Sequence, residues 1–135
     1  MVVKVITPND LHTDDFAVRN GKVVAVVTRQ NFTGTWARGV VPWNNGPLED
    51  QRRAITIQDG LGLVHIDFKR TSGTGGLILT LPANCPTPSK LIEAQTWDGG
   101  SVWLDANSRE VQSMGLTANR RYIVDLLGFL SLIHI

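Results

Sequence analysis

Short segments rich in Val, Ile, Thr, Phe and Trp recur along the chain, separated by turns rich in Gly, Asn, Asp and Pro. Many of them alternate between apolar and polar residues, which is the two-residue period of a half-buried β-strand. No segment keeps a helical period over the roughly eleven residues on which a helix prediction depends. The pattern therefore predicts an all-β fold, an antiparallel β-sandwich with short or no helices, the one candidate being a single turn that begins at Thr7.

The strongest turn signal is the pair Asn20-Gly21, because Asn and Gly adopt the positive φ angles of a two-residue hairpin turn at little cost. A hairpin is predicted between strand 16–19 and strand 22–29. The second strand, KVVAVVTR, carries apolar residues at both odd and even positions. We expect such a strand to be covered on both faces, by a second sheet and a loop or by another subunit.

The middle of the chain alternates more regularly. Residues 31–38 predict a strand, and the turn-rich stretch 42–50 predicts a loop. Three prolines between positions 82 and 88 indicate a crossing between two sheets, since proline donates no backbone hydrogen bond. In LVHIDFK, one set of alternate residues is predicted to face the core and the other to face solvent. These sets are Val64, Ile66 and Phe68 on the core side, and His65, Asp67 and Lys69 on the solvent side.

The late segments LIEAQTW and SVWLD are predicted to pair around a three-residue turn, Asp98-Gly99-Gly100. The predicted opposite pairs are Ser101 with Trp97, Trp103 with Gln95, and Asp105 with Glu93. The other face carries the residues expected in the core: Ile92, Ala94, Thr96, Val102 and Leu104. Flat indole rings pack against the apolar faces of sugars, while carboxylates and amides hydrogen-bond to hydroxyls, so the more polar face predicts a saccharide site.

The predicted saccharide-binding set adds one tryptophan from the polar loop, which we expect to be exposed. The set is Trp43, Trp97, Trp103, Glu93, Gln95 and Asp105. Each tryptophan has a structural alternative, because indoles also fill space under loops or between subunits. Glu93 and Asp105 have a catalytic alternative as the acid and base of a glycosidase, although opposed carboxylates on a sheet face are more often plain surface residues.

Other reactive residue types have weaker functional interpretations. His65 and Asp67 invite a metal or catalytic-triad interpretation, but alternate residues of one strand are ordinary surface neighbours. Cys85 has no basic neighbour in sequence and is predicted to be a buried or semi-exposed inert thiol. The basic pairs Arg52-Arg53 and Arg120-Arg121 can bind acidic groups, with solvated strand ends as the default. No phosphate-binding, zinc-binding or serine-nucleophile motif occurs, so no cofactor or metal is predicted.

Length and composition narrow the function classes. At 135 residues and 42% hydrophobic content, the chain fits one domain with its own core. Thirteen Lys and Arg against twelve Asp and Glu leave a net charge of +1, which does not favour nucleic acid as a partner. No apolar run reaches the ~20 residues of a membrane span, and no export signal is recognisable, so membrane insertion is not expected. A single cysteine permits no internal disulfide.

The last six residues, LSLIHI, match the translation of a transposase adaptor used in sequencing libraries. We therefore expect residues 130–135 to be a non-native tail and leave His134 out of any site, a native apolar end strand being the alternative. The predicted domain is then residues 1–129, a single β-sandwich in which residues 1–14 form a lead-in strand or turn.

From Leu79 onward, a Leu-Pro step closed by a second proline is followed by a strand, a hairpin, a Val-x-Leu-Asp run and a late strand containing tyrosine. The residues in this order are Pro82, Pro86, Val102, Leu104, Asp105, Val111 and Tyr122. Together with the early hairpin FAVRNGKVVAVV, the pattern resembles the head domain of bacteriophage receptor-binding and baseplate tip proteins over residues 15–129. The usual turn glycine is missing from residues 106–108, where we expect Asn107 to take the left-handed conformation.

The resemblance implies a jelly-roll-like β-sandwich that assembles as a homotrimer and binds host cell-wall or surface saccharides, with no cofactor and no catalysis. It implies a virion protein of the phage tail tip, made in the host cytoplasm, with other tail or baseplate proteins as partners. The strand KVVAVVTR would then pack about the three-fold axis, and three identical sites would strengthen weak sugar contacts. A structural fibre-tip scaffold with buried tryptophans and a glycan-cleaving tail enzyme remain as alternatives.

Overall fold

The computed structural model describes most of the chain. The described ranges are 11–12, 16–19, 22–25, 29–44 and 46–131, of which the first three and Ser131 are described as backbone only. They form fourteen strands and one short 3-10 helix at Glu49–Arg52. The strands are β1 (Leu11–His12), β2 (Phe16–Arg19), β3 (Lys22–Ala25), β4 (Arg29–Thr33), β5 (Thr35–Trp36), β6 (Val40–Pro42), β7 (Arg53–Gln58), β8 (Leu61–Arg70), β9 (Gly76–Thr80), β10 (Thr87–Pro88), β11 (Ile92–Gln95), β12 (Ser101–Leu104), β13 (Glu110–Met114) and β14 (Tyr122–Ser131).

Two antiparallel sheets pack together around the core, and the predicted all-β sandwich is confirmed. The six-stranded sheet has the order β10-β14-β8-β7-β4, and β6 pairs with the C-terminal part of β8. The five-stranded sheet has the order β11-β12-β13-β9-β5. A further three-stranded sheet consists of β1, β2 and β3.

The hairpin predicted at Asn20-Gly21 is confirmed, since β2 and β3 pair with Arg19 opposite Lys22. The predicted second strand, 22–29, corresponds to β3 at Lys22–Ala25, whereas its predicted last residue, Arg29, begins another strand, β4, which pairs with β7. Residues 26–28 lie outside the described residues. The side chains of β3 and the predicted helical turn near the N-terminus lie outside the described residues. The double apolar face of this strand therefore stays a prediction.

The strand predicted over residues 31–38 divides at Gly34, where the chain passes from one sheet to the other. β4 pairs with β7 in the six-stranded sheet, whereas β5 pairs with β9 in the five-stranded sheet. A Cβ atom at Gly34 would stand 2.5 Å from the side chain of Leu79, so only glycine allows the chain to cross at this place. One apparent run of alternation thus belongs to two different layers.

A second crossing occurs at the three prolines, as predicted. β9 lies in the five-stranded sheet, β10 in the six-stranded sheet, and β11 returns to the five-stranded sheet. Cys85 is fully buried in this segment, where burial raises the pKa of its thiol to about 11 against a lowering effect of Arg109. The thiol is therefore protonated at neutral pH, in agreement with the predicted inert cysteine. The predicted left-handed conformation of Asn107 is confirmed by its φ of 59°.

The last strand does not continue the sheet of the three strands before it. β11, β12 and β13 are joined as hairpins, but β14 pairs with β8 in the opposite sheet, from Tyr122 opposite Phe68 to Phe129 opposite Leu61. Leu130 is also buried in the core, so β14 runs into the segment predicted to be an adaptor tail. The origin of that segment stays a prediction, and residues 132–135, including His134, lie outside the described residues.

The core side of LVHIDFK is confirmed, because Val64, Ile66 and Phe68 have no exposed surface. The prediction that its other side is wet is wrong for Asp67, which is buried beneath arginine side chains. His65 stays partly exposed on the outer face of the sheet. The six-stranded sheet thus holds a buried charge on the face that its alternation assigns to solvent.

Candidate functional site

The late hairpin keeps its predicted faces but not its predicted register. Glu93 lies opposite Trp103 and Gln95 lies opposite Ser101, so a five-residue turn joins β11 to β12. The pairing differs from the predicted one by two residues, and because side chains alternate with a period of two, each residue stays on its predicted face. Glu93 and Asp105 consequently share one side of the sheet without facing each other across the strands, contrary to the predicted pairing.

An open groove of about 280 Å³ lies on the outer face of the five-stranded sheet. We call it the Trp103 groove. It is lined by Leu91, Glu93, Ser101, Trp103, Asp105 and Met114. Three predicted saccharide-binding residues, Glu93, Trp103 and Asp105, are therefore brought together, whereas Gln95 is exposed on the same face but does not line the groove.

The Trp103 groove combines an indole and two exposed apolar side chains, Leu91 and Met114, with two carboxylates and one hydroxyl. None of its lining residues is cationic. On the opposite side of β12, Val102 and Leu104 are fully buried, so the indole is carried by a strand that the core holds in place. An apolar surface bordered by hydrogen-bonding groups matches a neutral ligand rich in hydroxyls.

Trp97 does not belong to this groove, and its predicted pairing with Ser101 is wrong. The backbone N–H of Thr96 donates to the carbonyl of Gly100 at 2.9 Å, and the N–H of Gly100 donates to the hydroxyl of Thr96 at 2.8 Å. These bonds close the turn and leave Trp97 outside the ladder. Its side chain is 70% exposed, and its Nε1 donates to the carbonyl of Arg121 at 3.3 Å.

Two neighbouring side chains order the Trp97 ring. The ring of Tyr122 lies 6.4 Å away, centroid to centroid, at an interplanar angle of 30°, and the guanidinium carbon of Arg120 lies 5.1 Å from the indole centroid. Tyr122 is itself fixed, because it is fully buried and its hydroxyl accepts from the N–H of Thr117 and donates to Asp98 at 2.8 Å. Trp97 is thus an exposed indole in a set orientation.

Trp43 is half-buried rather than exposed as predicted, because two cations lie against its ring. The ammonium of Lys69 is 5.7 Å and the guanidinium carbon of Arg121 is 5.6 Å from the indole centroid, both within cation–π range. The backbone N–H of Trp43 donates to the carbonyl of Asp67 at 3.2 Å, which holds the loop against β8. The same arginine therefore contacts Trp43 through its side chain and Trp97 through its backbone.

We call this second region the basic end. It consists of Trp43, Lys69, Trp97, Arg120 and Arg121. The two tryptophans were predicted as binding residues and Arg120-Arg121 as a basic pair, but the sequence did not predict that these residues and Lys69 lie together. The partners that fix Arg121 lie far away along the chain, Asp67 being 54 residues distant, so local spacing carries no signal of the cluster. The only signal available was the basic pair itself, next to Tyr122.

A buried carboxylate organises the basic end from below. Asp67 accepts from Nε and Nη2 of Arg121 at 3.0 and 2.7 Å through its two oxygens, and it also accepts from Arg52. Burial raises the pKa of Asp67, but the hydrogen bonds and charge of Arg121, with the charges of Arg52 and His65, outweigh burial and hold that pKa below its usual value. Hydrogen bonding to Asp67 in turn raises the pKa of Arg121. Asp67 is therefore ionised at neutral pH.

Asp98 is the second anion beneath the basic end. Thr96 Oγ1 donates to it at 2.7 Å, and this hydrogen bond lowers the pKa of Asp98. Burial acts in the opposite direction, and further hydrogen bonds from Tyr122 and Arg120 lower the pKa again, so that it lies below the usual value. Arg120 and Arg121 are exposed, as the default prediction of solvated arginine pairs expects, whereas Arg52 and Arg53 are half-buried. All four arginines also hold acidic partners. These are Asp67 for Arg52 and Arg121, Glu49 for Arg53, and Asp98 for Arg120.

The fourth tryptophan has a structural role. Nε1 of Trp36 donates to Glu49 at 2.8 Å, and the side chain packs against the core. The hydrogen bond from Trp36 lowers the pKa of Glu49, burial raises it, and Arg53 lowers it further, leaving it below its usual value.

Within the described part of the chain, no group of three or more His, Cys, Asp and Glu side chains is placed to hold a metal ion. No helix in the same ranges is long and apolar enough to cross a membrane. Comparison with models of known protein families, with curated proteins and with solved structures found no match. What the Trp103 groove and the basic end bind must therefore be inferred from their own chemistry.

Proposed function

We propose that the protein is a non-enzymatic carbohydrate-binding head of a phage tail or baseplate, which attaches as a homotrimer to a glycan on the host surface. The observation that carries the proposal is the Trp103 groove. It brings an indole and two carboxylates together on the outer face of the five-stranded sheet. Each of these three residues is in the saccharide-binding set predicted from alternation alone.

The chemistry of the groove supports a sugar over other small ligands. The CH faces of a pyranose ring pack on an indole, and its hydroxyls donate to carboxylates such as those of Glu93 and Asp105. The volume of about 280 Å³ lies near the lower end of the range for small-molecule sites, so it suits a short stretch of a glycan. An open groove of this size gives weak binding at one site, which several linked copies would strengthen.

An apolar area on the outer face of the six-stranded sheet supports self-association. Its exposed residues are Leu61, Leu63, Ile123, Leu127 and Phe129. Cross-strand pairing sets Leu61 beside Phe129 and Leu63 beside Leu127, so four of them are contiguous. Contiguous exposed apolar patches on soluble proteins commonly mark contact surfaces. This area, rather than the strand KVVAVVTR, is the described surface that best suits contact between copies of the chain.

The test of glycan binding is a screen of the protein on an array of bacterial surface polysaccharides, followed by NMR titration with an oligosaccharide of the best ligand. We expect Trp103→Ala to weaken the binding of that oligosaccharide by at least about tenfold, because the indole on which the sugar stacks is lost. Phe129→Ala is the matched control, since it removes an exposed aromatic ring from the other sheet. Equal binding by Trp103→Ala and the unaltered protein would contradict the proposal, as would the absence of any glycan ligand.

Substitutions at the same two positions separate binding from assembly. Light scattering should give a trimer for the unaltered protein and for Trp103→Ala, and a smaller species for Phe129→Asp. A monomer at all concentrations would remove the trimer from the proposal while leaving the groove intact. Release of reducing ends from the bound glycan, abolished by Glu93→Gln, would instead identify an enzyme.

A further inference from the structure

The basic end differs from an ordinary surface cluster in the position of its charges. Two of its cations, Arg120 and Arg121, and the neighbouring Arg52 are paired with two carboxylates, Asp98 and Asp67, while its third cation, Lys69, lies against Trp43. The side chain of Asp67 is only 5% exposed, and that of Asp98 is 12% exposed, whereas Arg120 and Arg121 are each 43% exposed. The acids therefore lie below and the cations above, which leaves two positive charges in excess toward solvent.

The four cations make different contacts. Arg121 uses Nε and Nη2 for Asp67, and Arg52 is bound to the same carboxylate. Among the described residues, Lys69 makes no ion pair, and the contact of its ammonium is with the ring of Trp43. Arg120 gives one nitrogen to Asp98 and has further N–H donors. Lys69 and Arg120 thus retain donors that no described residue uses.

The two indoles give this charge an apolar border. Trp97 is 70% exposed, although its Nε1 is held by a hydrogen bond. Because the ring is already ordered, binding a ligand on it costs little conformational entropy. Trp43 is linked to it through Arg121, which contacts the ring of Trp43 and accepts from Trp97. A sugar ring carrying an acidic group needs this combination of a flat apolar surface and adjacent cationic donors.

We infer that the basic end is a second binding site, which takes an acidic saccharide with one carboxylate on Arg120 beside Trp97, another on Lys69 beside Trp43, and a sugar ring against Trp97. The Trp103 groove, with Glu93 and Asp105, repels such a carboxylate, so the two sites select different sugar units. The identity of the ligand as a saccharide rests on the proposed function, whereas the anion site rests on the arrangement of charges alone. A phosphodiester on a sugar carries the same single negative charge, and the experiment below distinguishes it from a carboxylate.

The test follows the indole N–H signals of Trp43 and Trp97 by NMR. Trigalacturonic acid should shift both signals, and galactotriose, its neutral counterpart, should not. Binding should weaken as salt is added, because the attraction is between exposed charges. Lys69→Met and Arg120→Met should each weaken the binding of trigalacturonic acid by about tenfold, because each removes the charge and keeps an apolar side chain. Lys90→Met, at another exposed lysine, is the matched control and should bind as the unaltered protein does.

Three results would overturn the inference. The first is an absence of shifts with trigalacturonic acid, and the second is an equal loss of binding in Lys90→Met. The third is tighter binding of a glycerol phosphodiester oligomer or of a thymidine oligonucleotide, which would assign the site to phosphate or to nucleic acid instead. Trp103→Ala changes the Trp103 groove and leaves every residue of the basic end unaltered, so the two proposals can be tested separately. If neutral glycans fail to bind but trigalacturonic acid still shifts Trp43 and Trp97, the proposed function fails and the anion site stands.

Discussion

The Trp103 groove and the basic end both present indoles to solvent, but they are built in opposite ways. The groove lies on three consecutive antiparallel strands, with most of its residues on or beside β11 and β12 and Met114 on β13, and its charges are carboxylates. The basic end joins the loop that carries Trp43, the outer face of β8, the turn that carries Trp97 and the residues just before β14, and its surface charges are cations over buried acids. A binding surface on consecutive hairpin strands follows from the period of the strands, whereas one built from distant segments depends on the ion pairs that hold them together.

The largest expected difference between the two regions concerns the stability of the fold. Asp67→Asn should lower the free energy of unfolding by about 3 kcal/mol, because two arginines lose a buried partner. Asp125→Asn is the matched control, since Asp125 is 54% exposed and its pair with His65, at 2.5 Å, should contribute at most about 1 kcal/mol. Urea denaturation followed by circular dichroism measures both. Equal losses would mean that Asp67 does not organise the basic end.

The contribution of Asp67 to the stability of the fold should also depend on pH. The pKa of Asp67 is lower in the folded protein than its usual value of 3.8, so ionised Asp67 stabilises the fold above pH 3.8. That contribution is lost as the pH falls through the lowered folded value. The stability difference between the unaltered protein and Asp67→Asn should therefore shrink from about neutral pH to about pH 3 in a series of urea denaturations. A difference that stays constant over this range would show that charge on Asp67 is not the cause.

The contrast between the regions also explains which parts of the fold and site were predictable. The faces of the late hairpin were predicted correctly despite a wrong turn length, because a slip of two residues preserves alternation. Trp97 was misplaced since hydrogen bonds of Thr96, not the Asp-Gly-Gly triplet, define the turn. The strand break at Gly34 was missed because alternation continues through a change of sheet.

The basic end lay beyond sequence reasoning for a different reason. The alternation of β8 assigns Asp67 to solvent, and only the partners brought by β14 and by the 3-10 helix make burial of its charge favourable. Arg52 and Arg121 lie 15 and 54 residues from Asp67 in the chain. Such pairings depend on which strands become neighbours, and the alternation of β8 and β14 does not indicate that these two strands pair. The partners of the buried charge therefore could not be found from the sequence.

The smallest expected effect on stability is in the Trp103 groove, where the comparison is sharpest. Glu93→Gln and Asp105→Asn should each change the free energy of unfolding by less than about 0.5 kcal/mol, because both side chains lie on an exposed face and neither makes an ion pair within the described residues. Each should nevertheless weaken the binding of the oligosaccharide in the Trp103 groove, since an amide replaces a carboxylate that accepts hydrogen bonds from sugar hydroxyls. Urea denaturation and NMR titration of the same samples measure the two quantities. A loss of stability comparable to that of Asp67→Asn would mean that the groove carboxylates, like those of the basic end, hold the fold together rather than face a ligand.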